Sequence, residues 1–211
     1  DMVSRGLGDV YKRQTLYHVV LGAAQFEVIW AVEDKGFNPN TFGQINGWIF
    51  VVFGVLGSLF GGIASDWTLR KYNLPRTWFL LILTLLFMPL AFTRYLDTDS
   101  ILFWVGICSS AFSLGCFYGP VFAVIQELVP PTIKGTVVAF NLLCLNMLGI
   151  ALGSILFGIL ADYAVTQGYE NPYTNLLVGF SCVFLVFGPI LYYLAGRFYE
   201  QDKKALIEKF N

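Results

Sequence analysis

The sequence predicts an all-α integral membrane protein with six transmembrane helices, and three observations carry that prediction. Apolar residues make up 56% of the 211 and charged residues 13%, too little polar surface for a water-soluble domain. The charges are segregated: residues 42–65, 77–93, 100–126, 135–161 and 171–196 contain no Asp, Glu, Lys, Arg or His. Most of these stretches reach the roughly 20 helical residues that cross a bilayer's hydrocarbon, and the shortest nearly does. A sixth apolar stretch, residues 15–32, is interrupted only by His18 and Glu27.

Composition also removes several functions. With 13 Lys+Arg against 14 Asp+Glu there is no basic excess to neutralise phosphates, so nucleic acid is not an expected partner. Cys108, Cys116, Cys144 and Cys182 all fall inside predicted spans, where cysteine behaves as a small apolar residue. Neither disulfides nor a metal cluster is expected, and no cofactor.

Residues 1–14, DMVSRGLGDVYKRQ, differ from the rest of the chain: they are polar, carry three cations and lack a signal peptide's apolar core. They resemble a translated sequencing adapter joined to a truncated reading frame, and the predicted fold starts at residue 15. Helix one (about 15–32) carries His18, Gly22 and Gln25 along one face. Glu27 lies nine residues from His18 and so on the opposite face. A single acid one turn from the helix end either reaches the headgroups or faces a central cavity to hold a cation or an amine. His18 is expected at the interface rather than in a coupling site.

Helix two (about 42–65) places Gly43, Gly47, Gly54, Gly57 and Gly61 at intervals of 4, 7, 3 and 4, one continuous face. Small residues on a stripe let neighbouring backbones approach closely, so this face should be pressed against a partner helix. Helix three (about 77–93) has Trp78 at its start and Tyr95 just past its end, as interfacial anchors. Helix four (about 100–128) repeats the small-residue device with Gly115 and Gly119, and Pro120 should kink it. Helix five (about 135–162) carries Asn146, Gly149 and Gly153 on one face. Helix six (about 174–196) ends in a mixed-charge tail, 198–211, that reads as a short surface helix.

Cations set the orientation. Arg70, Lys71, Arg76, Lys134, Arg197, Lys203, Lys204 and Lys209 fall on one side, Lys35 and Arg94 on the other. The positive-inside rule puts the first side, with the C-terminus, in the cytoplasm of a plasma or inner membrane.

The spacing Gly62-x-x-x-Asp66-x-x-x-Arg70-Lys71 between helices two and three resembles the loop motif of the major facilitator superfamily. Gly119-Pro120 through Glu127 and Pro130-Pro131, with Lys134-Gly135-Thr136, is similar to the turn between the fourth and fifth helices of one half of such a protein. With Gly153 and Gly158–Asp162 downstream, the wording is most similar to the spinster-like branch. The motif departs from the pattern at Trp67 and Leu69, where the family usually has a cation and a glycine.

The resemblance implies the C-terminal six-helix half of a twelve-helix fold, built as two inverted three-helix repeats. Its partner would be a missing N-terminal six-helix half. It also implies a secondary transporter working by alternating access on a lipid-like or amphipathic substrate, with the small-organic-anion facilitators as the alternative within the family. Membrane lipid and a small-molecule substrate are the expected ligands, and coupling to proton or sodium would depend on acids of the missing half. Asp66 would engage the positive end of a helix in that half, an interaction worth about 0.3–1 kcal/mol. Asp162 would be its mirrored gate acid on the outer side.

From the residues themselves, Glu127 is expected to pair with Arg70 or Lys71 across the cytoplasmic face. The candidate cavity or coupling residues are Gln25, Glu27, Tyr118, Phe122, Gln126, Asn141 and Asn146. Phe112, Gly115, Gly119, Phe122 and Gln126 share one face of helix four that would suit an amphipathic substrate. The competing classes are an intramembrane enzyme and a structural membrane protein. An enzyme needs a nucleophile, base or metal set within the bilayer, and with one histidine and no such constellation none is expected. A structural protein predicts neither the loop motif nor the repeated glycine faces.

Overall fold

A computed structural model describes residues 18–127, 129 and 131–210; the expected adapter-like segment 1–14 lies outside them. Among the described residues the chain is all α, without strands. We number six helical spans. Helix α1 comprises residues 18–24 and, after a turn at Gln25 and Phe26, Glu27–Glu33. Helix α2 is Pro39–Tyr72, α3 Arg76–Phe92 and α4 Ile101–Glu127. Helix α5 runs over Lys134–Thr166, and α6 over Pro172–Phe210. Five of the spans, α2 to α6, are long and apolar enough to cross a membrane.

Local chemistry explains the boundaries. Asn38 caps α2, its side chain accepting from the backbone N–H groups of Asn40 and Thr41, and Pro39 supplies the preset first helical residue. The helix then continues past the membrane-length stretch to Tyr72 and stops at Asn73, which takes the left-handed conformation with φ 50°. The expected loop motif is therefore helical: Asp66, Arg70 and Lys71 occupy the last turns of α2, and the connection is only 73–75. Helical propensity suffices for this, because charged residues mark the exit from lipid and do not break a helix.

Three further departures interrupt or extend the expected helices. Helix α1 is interrupted at Gln25 and Phe26, whose N–H groups bond three residues back, to Gly22 and Ala23. Helix α5 carries a π-helical segment, Leu145–Ala151, inside which the Asn146 side chain bonds back to the Leu142 carbonyl at 2.7 Å. Helix α6 continues through the tail to Phe210, so no separate surface helix forms. Helices α3, α4 and α6 each contain an internal proline, Pro89, Pro120 and Pro189, and continue through it.

Two glycine-mediated crossings hold the bundle. Cβ atoms on Gly57 and Gly61 of α2 would run into the backbone of Phe112 and Cys116, and one on Gly115 of α4 into the Gly54 carbonyl. The second crossing joins α1 to α5. A Cβ on Gly22 would strike Ile150 and Ser154, one on Gly153 would strike Val19, and Ser154 donates to the Gly22 carbonyl at 3.0 Å. Exchanging the triplet α1–α3 with α4–α6 turns the α2/α4 pair into the α5/α1 pair, so the crossings correspond as inverted repeats require. The expected continuous glycine face is only partly used. Gly43 and Gly47 meet nothing, because helices that cross approach closely only near the crossing point.

Aromatic packing closes the end that carries Glu27. Trp30, Phe42, Phe103 and Phe157 are fully buried there, and the Trp30 indole donates to the Thr174 hydroxyl at 2.8 Å, tying α1 to the start of α6. By contrast, Val51, Val55, Leu59 and Ile63 of α2 and Met147, Ile155 and Ile159 of α5 are exposed. Such faces belong in lipid or against other apolar helices.

Candidate functional site

Two charge clusters lie at opposite ends of the bundle. At the Asp66 end the organising residue is Arg76, the first residue of α3. Its guanidinium bonds Asp66 at 2.7 Å and also pairs with Glu127, so the ends of α2, α3 and α4 share one cation. Glu127 lies at the C-terminus of α4, where the carbonyl ends already concentrate negative charge, and a cation between it and Asp66 offsets both carboxylates. The expected pairing of Glu127 with Arg70 or Lys71 is thus corrected. The Arg70 Nε turns back to the Asp66 carbonyl at 3.3 Å, and the Lys71 ammonium sits over the Trp67 ring, 4.8 Å from its centroid. Both cations belong to the outward face of the last turn of α2, whereas Arg76 starts a helix between the two acids. Nearby, the Arg76 Nε and the Thr77 hydroxyl are buried without a hydrogen-bond partner among the described residues.

At the other end Glu27 is 4% exposed, which corrects the headgroup alternative. The break at Gln25 and Phe26 displaces it from the register of a continuous helix, and Arg94 reaches it at 3.0 Å. The second carboxylate oxygen accepts from Asn46 at 3.3 Å. Arg94 also donates to the Tyr95 hydroxyl at 2.9 Å, and that hydroxyl lies 3.0 Å from the Ser181 oxygen. Gly106 makes this possible, because any Cβ there would collide with the Arg94 backbone. Tyr95 is therefore part of a polar cluster inside the bundle, not an interfacial anchor. Lys35 holds the end of α3 from outside, donating to the Tyr95 and Leu96 carbonyls at 3.2 and 3.1 Å.

Beneath this cluster is a partly open cavity of about 130 Å³, lined from α1, α2, α3, α4 and α6 and not from α5. Glu27 is the only one of the expected cavity residues that reaches it. Gln25 and Gln126 are exposed, and Asn146 is exposed with its amide on its own helix. Tyr118 and Phe122 stack with centroids 6.0 Å apart, and His18, 3% exposed, lies edge-on to Tyr118 at 6.2 Å. His18 is thus buried against Gly149 of α5 rather than at an interface. Asn141 is fully buried, and neither amide atom has a hydrogen-bond partner among the described residues.

The proposed substrate face of α4 is divided. Phe112 and Gly115 are spent on packing, against Phe60, Phe87 and the Gly54 carbonyl, which leaves Gly119, Phe122 and Gln126. Asp162 is exposed, with no ion pair among the described residues. Arg76, Arg94, Asn46 and Ser181 belong to the two polar clusters, and the sequence did not single them out as site residues. A cation directly after Pro75, opening an otherwise apolar helix at the depth of Glu127, was the available signal for Arg76; nothing local signalled Asn46 or Ser181.

The family model of the Major Facilitator Superfamily matches residues 15–154. No curated protein and no solved structure matches the chain.

Proposed function

Because the chain belongs to the Major Facilitator Superfamily, we propose that it is the C-terminal six-helix half of a secondary transporter working by alternating access. The observation that carries this reading is the Asp66–Arg76–Glu127 cluster. It clamps the ends of three helices together at one membrane face, as a half that must move as a rigid unit requires. The exposed apolar faces of α2 and α5 are suited to meet an N-terminal half, with substrate held between the two. The spinster-like wording of the 119–136 segment favours a lipid-like or amphipathic substrate. Tyr118, Phe122 and Gln126 offer an aromatic surface with one amide and no deep cation for a small organic anion. The Asp66 face and the C-terminus are cytoplasmic in this reading, in a plasma or inner membrane. Proton or sodium coupling rests on acids of the other half, since Glu27 is already neutralised by Arg94.

The test is reconstitution of the complete reading frame in liposomes, with uptake of a fluorescent lysolipid compared with uptake of a small dicarboxylate. Saturable lysolipid uptake that falls at least tenfold in Arg76→Gln, at unchanged protein level, supports the proposal. Uptake of the dicarboxylate alone refutes the substrate class, and a reading frame without a second six-helix half refutes the half-transporter reading.

A further inference from the structure

We propose that the partly open cavity under the Glu27–Arg94 pair binds a neutral, ring-sized molecule with one hydrogen-bonding group, of phenol-like chemistry. The site lies wholly within the six-helix unit, so it does not depend on the transport reading.

Size decides the first part. At about 130 Å³ the cavity is close to the roughly 150 Å³ of an apolar protein cavity that takes up benzene, so a single ring fills it. The walls decide the second part: Leu83, Met88, Leu114, Phe117, Phe180 and Phe184 present apolar and aromatic surface, the lining expected for a small-molecule pocket.

The roof decides the charge and the head group. Glu27 and Arg94 compensate each other at 3.0 Å, so a charged ligand would bring an unbalanced charge into an apolar chamber. A neutral ligand has no such penalty. Tyr95 and Ser181 line the same cavity and contribute two hydroxyl protons, of which their mutual contact at 3.0 Å uses one. The other proton is left to donate to a ligand oxygen. A ring lying among the phenylalanines with its oxygen directed at this hydroxyl pair satisfies both ends of the chamber. Five of the six helices line the cavity, so an occupant would touch most of the bundle at once.

The experiment uses the full chain in phosphatidylcholine nanodiscs with 4-fluorophenol as probe, read by fluorine NMR. The expected result is a saturable bound signal displaced by excess phenol, abolished by Ala24→Phe, which fills the chamber, and weakened about fivefold by the double variant Tyr95→Phe/Ser181→Ala, which removes both hydroxyl donors and so the one hydrogen bond to the ligand. The charged analogue 4-fluorobenzoate should give no saturable signal. A signal that scales with lipid and is unchanged in both variants is bilayer partitioning and overturns the proposal, as does saturable binding of the benzoate with equal affinity. Should Ala24→Phe fail to fold, Tyr95→Phe/Ser181→Ala and the benzoate comparison decide the matter alone.

Discussion

Replacing Arg76 with Gln tests whether one cation binds the two carboxylates unequally. The Arg76 side chain is 12% exposed, that of Glu127 26% and that of Asp66 47%. With nearly half its surface in solvent, Asp66 should behave as a surface pair, coupled to Arg76 by about 0.5 kcal/mol. Glu127 lies between the exposed case and the buried one, in which removing a partner costs about 3–5 kcal/mol, and its coupling should be about 1.5–2 kcal/mol. Arg76→Gln alone is then expected to destabilise the bundle by about 2 kcal/mol. The assay is reversible unfolding in mixed micelles, titrated with SDS, as double-mutant cycles with Glu127→Gln and with Asp66→Asn. Arg70→Gln is the control and should change stability by less than about 0.5 kcal/mol. Coupling to Asp66 as large as coupling to Glu127, or no coupling to either, would refute the reasoning.

Three other outcomes are expected from the same unfolding assay. Gly61→Val should destabilise by at least about 2 kcal/mol, because its side chain must displace the Cys116 backbone of α4, while Gly47→Val should be near neutral. Glu27→Gln should cost about 3 kcal/mol by leaving the Arg94 guanidinium without its counter-charge, and the double variant Glu27→Gln/Arg94→Met should be more stable than Glu27→Gln alone. Trp30→Phe and Thr174→Val should each cost about 1 kcal/mol and be strongly non-additive, since both remove the same hydrogen bond.

The helices were legible in the sequence because the bilayer makes hydropathy nearly decisive: a run without charges must cross it, and a charged run must leave it. Where helices end was less legible. Asp66, Arg70 and Lys71 mark where α2 leaves lipid, yet the helix stops only where Asn73 and Pro75 force it to. The π-helical segment of α5 and the break in α1 have no local cue; they lie where these two helices press together at Gly22, Gly149 and Gly153. The charge clusters were half legible. Arg70 and Lys71 were the expected partners of Glu127 because they lie at a similar depth on the cytoplasmic face, and no cation was assigned to Glu27. The actual partners, Arg76 for Glu127 and Arg94 for Glu27, lie 51 and 67 residues away and are brought near by helix crossings.

The glycine crossings have a consequence for how this sequence can drift. At Gly22, Gly57, Gly61, Gly115 and Gly153 the added carbon would meet carbonyls, amides or Cα atoms of the opposing helix. A main chain cannot be trimmed by substitution, so no change of side chain across the contact restores the lost room. These positions should yield no local second-site suppressors. At Gly188 the obstacle is the ring of Phe184, which a smaller residue can withdraw, and there compensation is open. Selection on the two crossings is therefore one-sided: they are held or lost whole, while the aromatic contacts around them remain free to trade volume.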